Sequence, residues 1–568
     1  MARYRWQLRA ADEAAAQRLA KELSLTLPTA RLLVARGYTE PDAAYRFLNP
    51  SLHDLADPSL LPDVEPAVRR LALAVERKEP VLVYGDYDAD GITATALWLT
   101  TLRKLGVPAQ PYLPHREREG YDLHLNAIAA AQAIGARLIL TCDCGIRAHE
   151  VVDAINAAGL EVVITDHHEP DIHLPNAVAV VNPKRADSRY PFRELSGVGV
   201  SFRVAEALLR ALNLPRNGFY RTMLELVAIG TVADVMPIVG ENRILVKHGL
   251  ERLHQTKRVG LQSLMQVARL GKRKPTPRDI GFALAPRLNA AGRLEDAQIA
   301  LQLLLEEDAT EAQRLAVQLD ARNRERQRHQ EVALREAIAQ VELEHQHRQR
   351  ALVVHSEKWH HGIVGLVAGK LKEAYYRPAV VAVVEHETGL VRGSMRSTPE
   401  LNLTELIERM KPFCVKCGGH ASAGGFAAPL EHWDALRTLI VEFANARLTD
   451  DDLVPTLTVD QTIEAHAVNI RLVHELSLLE PFGTGNEPPL FLARAVEVLG
   501  SRTSQDGKHL FLKVRGEGGI VHDAVLWNGG DYLLEAGTRA DFVFEPEEDT
   551  YNGYGAVRWV IRDFEERV

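Results

Sequence analysis

Four cysteines in 568 residues are too few for a disulfide framework, and they suit a reducing, cytoplasmic setting. No uninterrupted apolar run reaches the ~18 residues of a membrane helix, so no membrane span or membrane partner is expected. The N-terminus, MARYRWQLRAADEAAAQ, lacks the apolar centre of a secretory signal. An overall excess of positive charge is also missing. The net charge is −9, which taken alone argues against a nucleic-acid partner. Its distribution says otherwise. Asp450 to Val568 holds 22 acidic and 10 basic residues, a local −12, so the rest of the chain carries +3. Gly249 to Arg293 holds ten Lys/Arg against Glu251 and Asp279. Such a stretch is either a solvated face or a track for a phosphate backbone.

The length implies two to four domains. About 75 residues at the start read as helical. Apolar, β-branched runs then recur at Val81–Gly85, Arg137–Thr141, Val162–Thr165 and Ala177–Val181, with helix-patterned stretches between the first three, including residues 116–136. Strand alternating with helix predicts an α/β fold with a parallel sheet covered on both faces. Residues 306–350 contain no Gly or Pro and read as one long charged helix or two shorter ones. A second α/β pattern opens at ALVVHS, and the tail alternates as strands, with a hairpin signal at Asn552–Gly553.

The residues just after the strands of the first pattern carry chemistry. GDYDADG places Asp86, Asp88 and Asp90 after the first; CDCGI brings Asp143; DHHEP brings Asp166, His167 and His168; GTVADVMPI adds Asp234. Ligands of open parallel sheets bind beyond the carboxyl ends of the strands, so these groups share one rim. A single Asp there caps a helix or starts a turn. Five or six converging carboxylates need counter-ions. Carboxylate and imidazole ligands without thiolates suit Mn²⁺, Mg²⁺ or Fe²⁺ better than structural Zn²⁺. Two such ions about 3.5–4 Å apart are the usual arrangement for phosphoester hydrolysis.

Those four motifs, in that order, resemble the metal-site motifs of the DHH phosphoesterase superfamily. APRLNAAGRLEDA, WHHGIVGLVAGKLKEAYYRPAVV, RGSMRS and GGHASAGGF resemble its RecJ branch, and EPFGTGNEPPLF stands where the OB-fold of that branch begins. The resemblance implies a DHH catalytic domain over 1–305, a connecting helix over 306–350, a smaller α/β DHHA1 domain over 351–449 and an OB-like β-barrel over 450–568. It implies a 5′-to-3′ exonuclease that takes single-stranded DNA to 5′-mononucleotides with two divalent cations, Mn²⁺ ahead of Mg²⁺, in DNA repair and recombination. By motif position Asp88, Asp90, Asp143, His167 and Asp234 are the metal ligands. Asp86 and Asp166 complete or support the site, and His168 contacts the scissile phosphate. Arg116, Arg293, Ser394 and Arg396 hold the 5′ phosphate, with Arg287, Asn289 and His420 beside them. A monomer that cooperates with a helicase and a single-strand-binding protein is the family expectation.

Three departures from the family pattern stand out: Cys142 and Cys144 around Asp143, Asp122 where Gly is usual after Tyr121, and Met395 where Gly is usual. Cys414-x-x-Cys417 is half a zinc site or a pair of free thiols. Phe511, Trp527 and Trp559 offer stacking surfaces or core packing, and the acidic tail suits DNA binding or protein docking. An oligoribonuclease, a cyclic-dinucleotide phosphodiesterase and a non-catalytic DNA-binding scaffold are the rival readings.

Overall fold

In the computed structural model, residues 4–116, 118–294, 297–549 and 555–567 are described; the Arg293 and Leu294 side chains and the Asn552–Gly553 turn lie outside the described residues. The chain forms two compact units, one of residues 46–324 with 479–488, the other of residues 1–45, 325–478 and 489–568.

The first unit is built on a five-stranded parallel sheet in the order Ala109–Tyr112, Val81–Gly85, Leu138–Cys142, Glu161–Thr165, Ala179–Val181. Its central strands are buried on both faces, which is why they read as continuous apolar runs. Val81, Val83, Leu138 and Leu140 face a core with Leu97 and Trp98 of the Ala89–Lys104 helix. Leu82, Tyr84, Ile139 and Ile164 face the other core, closed by Ala127 and Ala131 of Asn126–Ala133 and Val152 and Ile155 of His149–Ala157. The strand order reverses between Val81–Gly85 and Leu138–Cys142, the switch point where such sheets take their ligands.

Two local expectations are corrected here. The edge strand Ala109–Tyr112 is too short and too proline-marked to show in the sequence, and an edge position tolerates Pro111. Residues 118–125 are not helical: Gly120 and Asp122 both take φ of +87°, which no helix permits, and the helix begins only at Asn126.

The second unit holds a five-stranded mixed sheet, Lys416–His420, Ala423–Pro429, Leu390–Arg396, Ala379–Glu385, Leu352–Ser356, parallel only in its last pair. It also holds a closed barrel of Phe491–Thr503, Leu510–Arg515, Val521–Leu526, Val557–Glu566 and Arg539–Glu548, in which the first and last strands pair. The glycine- and proline-free stretch is one helix, Ala309–Leu343, and the two units divide within it. The helical lead expected over the first 75 residues is present as Glu13–Glu22, Leu27–Ala35, Pro41–Leu48 and Val64–Arg77, but residues up to 45 do not belong to the first unit. Arg5–Leu8 is a strand paired in parallel with Thr456–Val459, and Arg36 forms an ion pair with Asp460 at 2.9 Å. Residues 4–45 therefore pack with the C-terminal unit, through contacts more than 400 positions apart that local pattern cannot reveal.

Candidate metal centre

Each strand end contributes through a specific local device. Asp88 caps the Ala89–Lys104 helix, its Oδ1 accepting the amides of Asp90 (3.0 Å) and Gly91 (3.1 Å). Asp90, buried in the first turn, accepts the amides of Gly197 (2.7 Å) and Val198 (2.9 Å), which open the Gly197–Ala211 helix capped by Ser196. Two glycines allow this closeness: a Cβ at Gly197 would stand 2.5 Å from the Asp143 side chain, and one at Gly230 would stand 2.6 Å from Asp90 Oδ1. Asp143 itself takes φ of +66°. A non-glycine residue held there costs on the order of 1–3 kcal/mol, a strain that clusters at functional sites. Asp234 ends the Asn217–Ala233 helix.

These groups meet. His167 Nε2 lies 3.0 Å from Asp143 Oδ1 and 3.5 Å from Asp234 Oδ2, and His168 Nδ1 lies 3.8 Å from Asp143 Oδ1. Three sets of donor atoms fall within 4.8 Å of one another: Asp143, His167 and His168; Asp90, His167 and Asp234; Asp86, Asp88 and Asp143. Asp143 and His167 are each shared between two sets. Asp86 Oδ1 is buried without a hydrogen-bond partner, and Asp143 Oδ1 and His167 Nε2, 3.0 Å apart, are buried without a well-aligned hydrogen bond. Burial followed by the Asp88 charge pushes Asp90 up to about 7 and Asp86 well above the carboxylate range. Burial and the charges of Asp90 and Asp88 do the same to Asp143 and Asp234. Burial, then the His168 charge, takes His167 down to about 3, so it is a neutral imidazole able to donate a lone pair. Orphaned acceptors, mutually repelling carboxylates and a neutral imidazole form a donor set that fits two divalent cations.

Asp166 differs from its neighbours. It is fully buried, and its Oδ1 accepts from the His167 amide (2.7 Å) and from His168 Nδ1 (2.8 Å), while Oδ2 accepts the Ile146 amide (3.0 Å). Against burial, which alone would raise it, His168 brings Asp166 down to about 2; against burial, which alone would lower it, Asp166 brings His168 up to about 9. Asp166 joins none of the three donor sets. Tyr121, whose hydroxyl lies 3.0 Å from His168 Nδ1, flanks the pair.

Asp122 has a structural explanation. At φ of +87° a glycine would be unstrained, yet the Asp122 carboxylate accepts the Gly145 amide at 2.7 Å, next to the Ile146 amide held by Asp166. Two carboxylates thereby fix the loop that carries Asp143. Asp122→Gly is expected to relieve backbone strain but to raise the Mn²⁺ concentration for half-maximal activity about tenfold, the lower end of what supporting residues contribute. Asp122→Asn, which keeps the acceptor oxygen, should stay near wild type in the same Mn²⁺ titration.

The arginines and Asn289 divide between roles. Arg116 stands over the Tyr87 ring, 5.3 Å from its centroid, close enough for its charge to act on Asp86. Arg287 is tied to Asp320 (2.8 Å) and to the Ala283 carbonyl (2.6 Å). Asn289 Oδ1 accepts the Ala89 amide at 2.7 Å, capping the metal-bearing helix. The Arg293 side chain is outside the described residues. Arg258 and Arg273, also of the basic stretch, pair with Glu225 and Asp279.

In the second unit Ser394, Arg396 and His420 lie together. Arg396 and His420 occupy the register flanking Ala423 on adjacent strands, and Arg396 Nη1 donates to Ser394 Oγ at 3.1 Å and the Met395 carbonyl at 2.8 Å. Burial, then the Arg396 charge, lowers the His420 pKa. Met395 points to the opposite face, fully buried against Gly424, so this departure from the family pattern is taken up by the core. Cys414 and Cys417 are free, with the Cys414 thiol pushed up to about 12 by burial and its neighbour, and neither joins a metal-binding group among the described residues. On the barrel Trp559 is fully buried, stacked 3.9 Å from Phe544, whereas Trp527 is exposed beside Phe511, and Arg502 covers the Phe511 ring at 4.7 Å.

The Gly197 and Val198 amides and Ser196 escaped the sequence reading, where only the capping pattern SGVG marks them, without a metal-ligating side chain; Gly230 and Tyr121 stand inside quoted motifs but carry no assigned role there.

Residues 80–231 match the DHH family N-terminal domain, 348–446 the DHHA1 domain and 459–563 the RecJ OB domain. A single-stranded-DNA-specific exonuclease RecJ of Bacillus subtilis is 36% identical over 562 residues, 98% of this chain and 70% of the relative. The crystal structure of RecJ in complex with Mn²⁺ from Thermus thermophilus superposes with a TM-score of 0.86 at 30% identity, covering 100% of this chain and 80% of that one. The RecJ structure in complex with Mg²⁺ from the same organism gives 0.80 at 29% identity, covering 100% and 79%.

Proposed function

The chain belongs to the RecJ family, and from that membership we propose that it is a metal-dependent exonuclease that shortens single-stranded DNA from its 5′ end and releases 5′-mononucleotides. The observation that carries this reading is the overlap of three donor sets on Asp143 and His167 at the switch point of a parallel sheet. Matches over the DHH, DHHA1 and OB segments, within nearly full-length similarity to RecJ, favour the exonuclease over a dinucleotide phosphodiesterase or a scaffold.

In this reading Asp86, Asp88, Asp90, Asp143, His167 and Asp234 hold two divalent cations, with Mn²⁺ and Mg²⁺ as the candidates. Such a pair, when bound, polarises the phosphodiester and makes hydroxide available near neutral pH. The chain's own residues do the rest. Amides at the start of Gly197–Ala211 hold Asp90 in place, and Asp122 and Asp166 hold the loop of Asp143. Asp166 holds His168 Nδ1 and keeps the ring charged, so both nitrogens carry a proton, and Nε2, 3.1 Å from the Tyr121 hydroxyl, is the one offered to the scissile phosphate. Asp166 is accordingly a positioning residue. Within the second unit, Ser394, Arg396 and His420 supply charge-assisted hydrogen bonds to a terminal phosphate. Trp527 and Phe511, with Arg502, form a stacking surface for bases of the strand.

Strands labelled at either end test the reading. With Mn²⁺ a 5′ label should appear as mononucleotide at the earliest times, while a 3′-labelled strand shortens progressively. EDTA should stop both. Release of the 3′ label first would refute the direction assigned here.

A further inference from the structure

The basic run singled out in the sequence has a destination away from the metal centre. A cavity of about 840 Å³ in the first unit is lined by Arg103 and Lys104, Arg221, Arg252, Lys257 and the Arg258–Glu225 pair. Arg103 and Lys104 end the helix that Asp88 caps at its other end. That helix has 16 residues, so at 1.5 Å per residue the cavity lies about 24 Å from the metal-bearing turn.

Arg258 is not available to a ligand: Glu225 at 3.0 Å and the carbonyls of Leu304 and Thr222, both at 3.1 Å, hold it as part of the wall. Arg103, Lys104, Arg221, Arg252 and Lys257 are different. All five are exposed, and none has an ion pair or side-chain hydrogen bond among the described residues. Opposing them are Glu306 and Glu307, and Glu306 Oε1 is occupied by the amides of Glu307 and Asp308, both at 2.9 Å. Helix dipoles account for part of this. Arg103, Lys104 and Arg252 sit in last turns, where cations are favoured. They do not account for Arg221, in the opening turns of Asn217–Ala233, or for Lys257, between helices. Five exposed cations without an ion-pair partner among the described residues give one concavity a positive field that attracts an anion.

The lining also indicates what kind of anion. Arginine forks match phosphate oxygens in pairs, and the volume falls within the range of ligand sites. Among the described residues no aromatic lines the cavity, so a base would find no stacking partner there. The Val259–Val267 helix begins at the wall with no side-chain cap on its amides. We propose that this cavity is a second, base-independent binding site for closely spaced phosphates, taken from a nucleic-acid backbone or from a free oligophosphate.

Arg103→Glu with Arg252→Glu, both surface changes, tests it; Arg221→Glu with Lys257→Glu provides an independent pair. Calorimetry in EDTA, with the full chain, would use tripolyphosphate, a 20-nucleotide strand and a poly-glutamate peptide. Tenfold or greater loss of tripolyphosphate binding in both variants supports the site, with free oligophosphate as the source if strand binding is unchanged. A reduced salt dependence of strand binding in both variants, by about 1.4 in log–log slope for two lost contacts, supports it with the backbone as source. Hydrolysis of a 5′-phosphorylated trinucleotide, which cannot span to the cavity, should be unchanged in either case. Binding of all three ligands identical to wild type overturns the proposal. So does poly-glutamate bound as tightly as tripolyphosphate and lost in parallel, which would make the cavity an acidic-peptide site.

Discussion

Asp143→Ala should reduce Mn²⁺-dependent release of mononucleotides by about three orders of magnitude or more while leaving strand binding measurable. Asp143 belongs to two of the three donor sets, so its loss removes a ligand from both ion positions at once. Several kcal/mol of charge stabilisation at the phosphate is at stake, and each 1.36 kcal/mol is about tenfold in rate. Single-turnover release with saturating Mn²⁺ is the measurement. A variant within tenfold of wild type would remove Asp143 from the chemistry.

The same substitution has an opposite effect on the metal-free protein. Asp90 has its pKa raised from 3.8 to about 7, so between those values the folded state holds a proton that the unfolded state has released. Stability conferred by the protonated group is present below about 3.8 and is lost as pH rises through about 7. In EDTA the wild-type melting temperature should therefore fall from pH 5 to pH 8, and Mn²⁺ should raise it most at pH 8. Asp143→Ala removes one of the repelling charges and should flatten the metal-free profile. Parallel profiles for the two proteins would mean the carboxylates do not repel as their geometry demands.

Much of the site was legible because chemistry and secondary structure coincide in the chain. Asp86, Asp143 and Asp166 directly follow strands whose buried residues announce themselves, and the sheet rule places all three on one rim. What could not be read is contact over distance. Gly197 and Val198 reach Asp90 from more than 100 residues away, and Arg5–Leu8 finds its partner strand near residue 456. The resemblance sets Arg287 and Asn289 beside a terminal phosphate, and nothing in the motif announces the contacts they make to Asp320 and to the Ala89 amide. Residue type fixes what a side chain can do. Its partners depend on packing that no local pattern encodes. Asp122 shows the converse: a departure from the family pattern, opaque in sequence, becomes a carboxylate with a defined hydrogen bond.

Arg396→Ala should lower kcat/KM on a 5′-phosphorylated strand by about 10- to 150-fold, the equivalent of the 1.5–3 kcal/mol of one hydrogen bond to a charged group. On a 5′-hydroxyl strand it should change little, and the Mn²⁺ dependence should be that of wild type. The guanidinium is oriented before any ligand arrives: the Met395 carbonyl and Ser394 Oγ fix one nitrogen, and Gly365 lets the other approach to 3.1 Å of where a Cβ would be. Arg396→Lys keeps the charge without the fork and should fall between the two. His420 adds a pH signature. Arg396 helps hold its pKa below the ordinary 6.5, so removing that charge lets the imidazole protonate more readily. The alanine variant should therefore recover part of its 5′-phosphate preference as pH drops from 7.5 to 6, and Arg396→Ala with His420→Ala should not. Equal losses on phosphorylated and hydroxyl ends, at every pH, would show that Arg396 supports the fold of its strand and does not read the terminus.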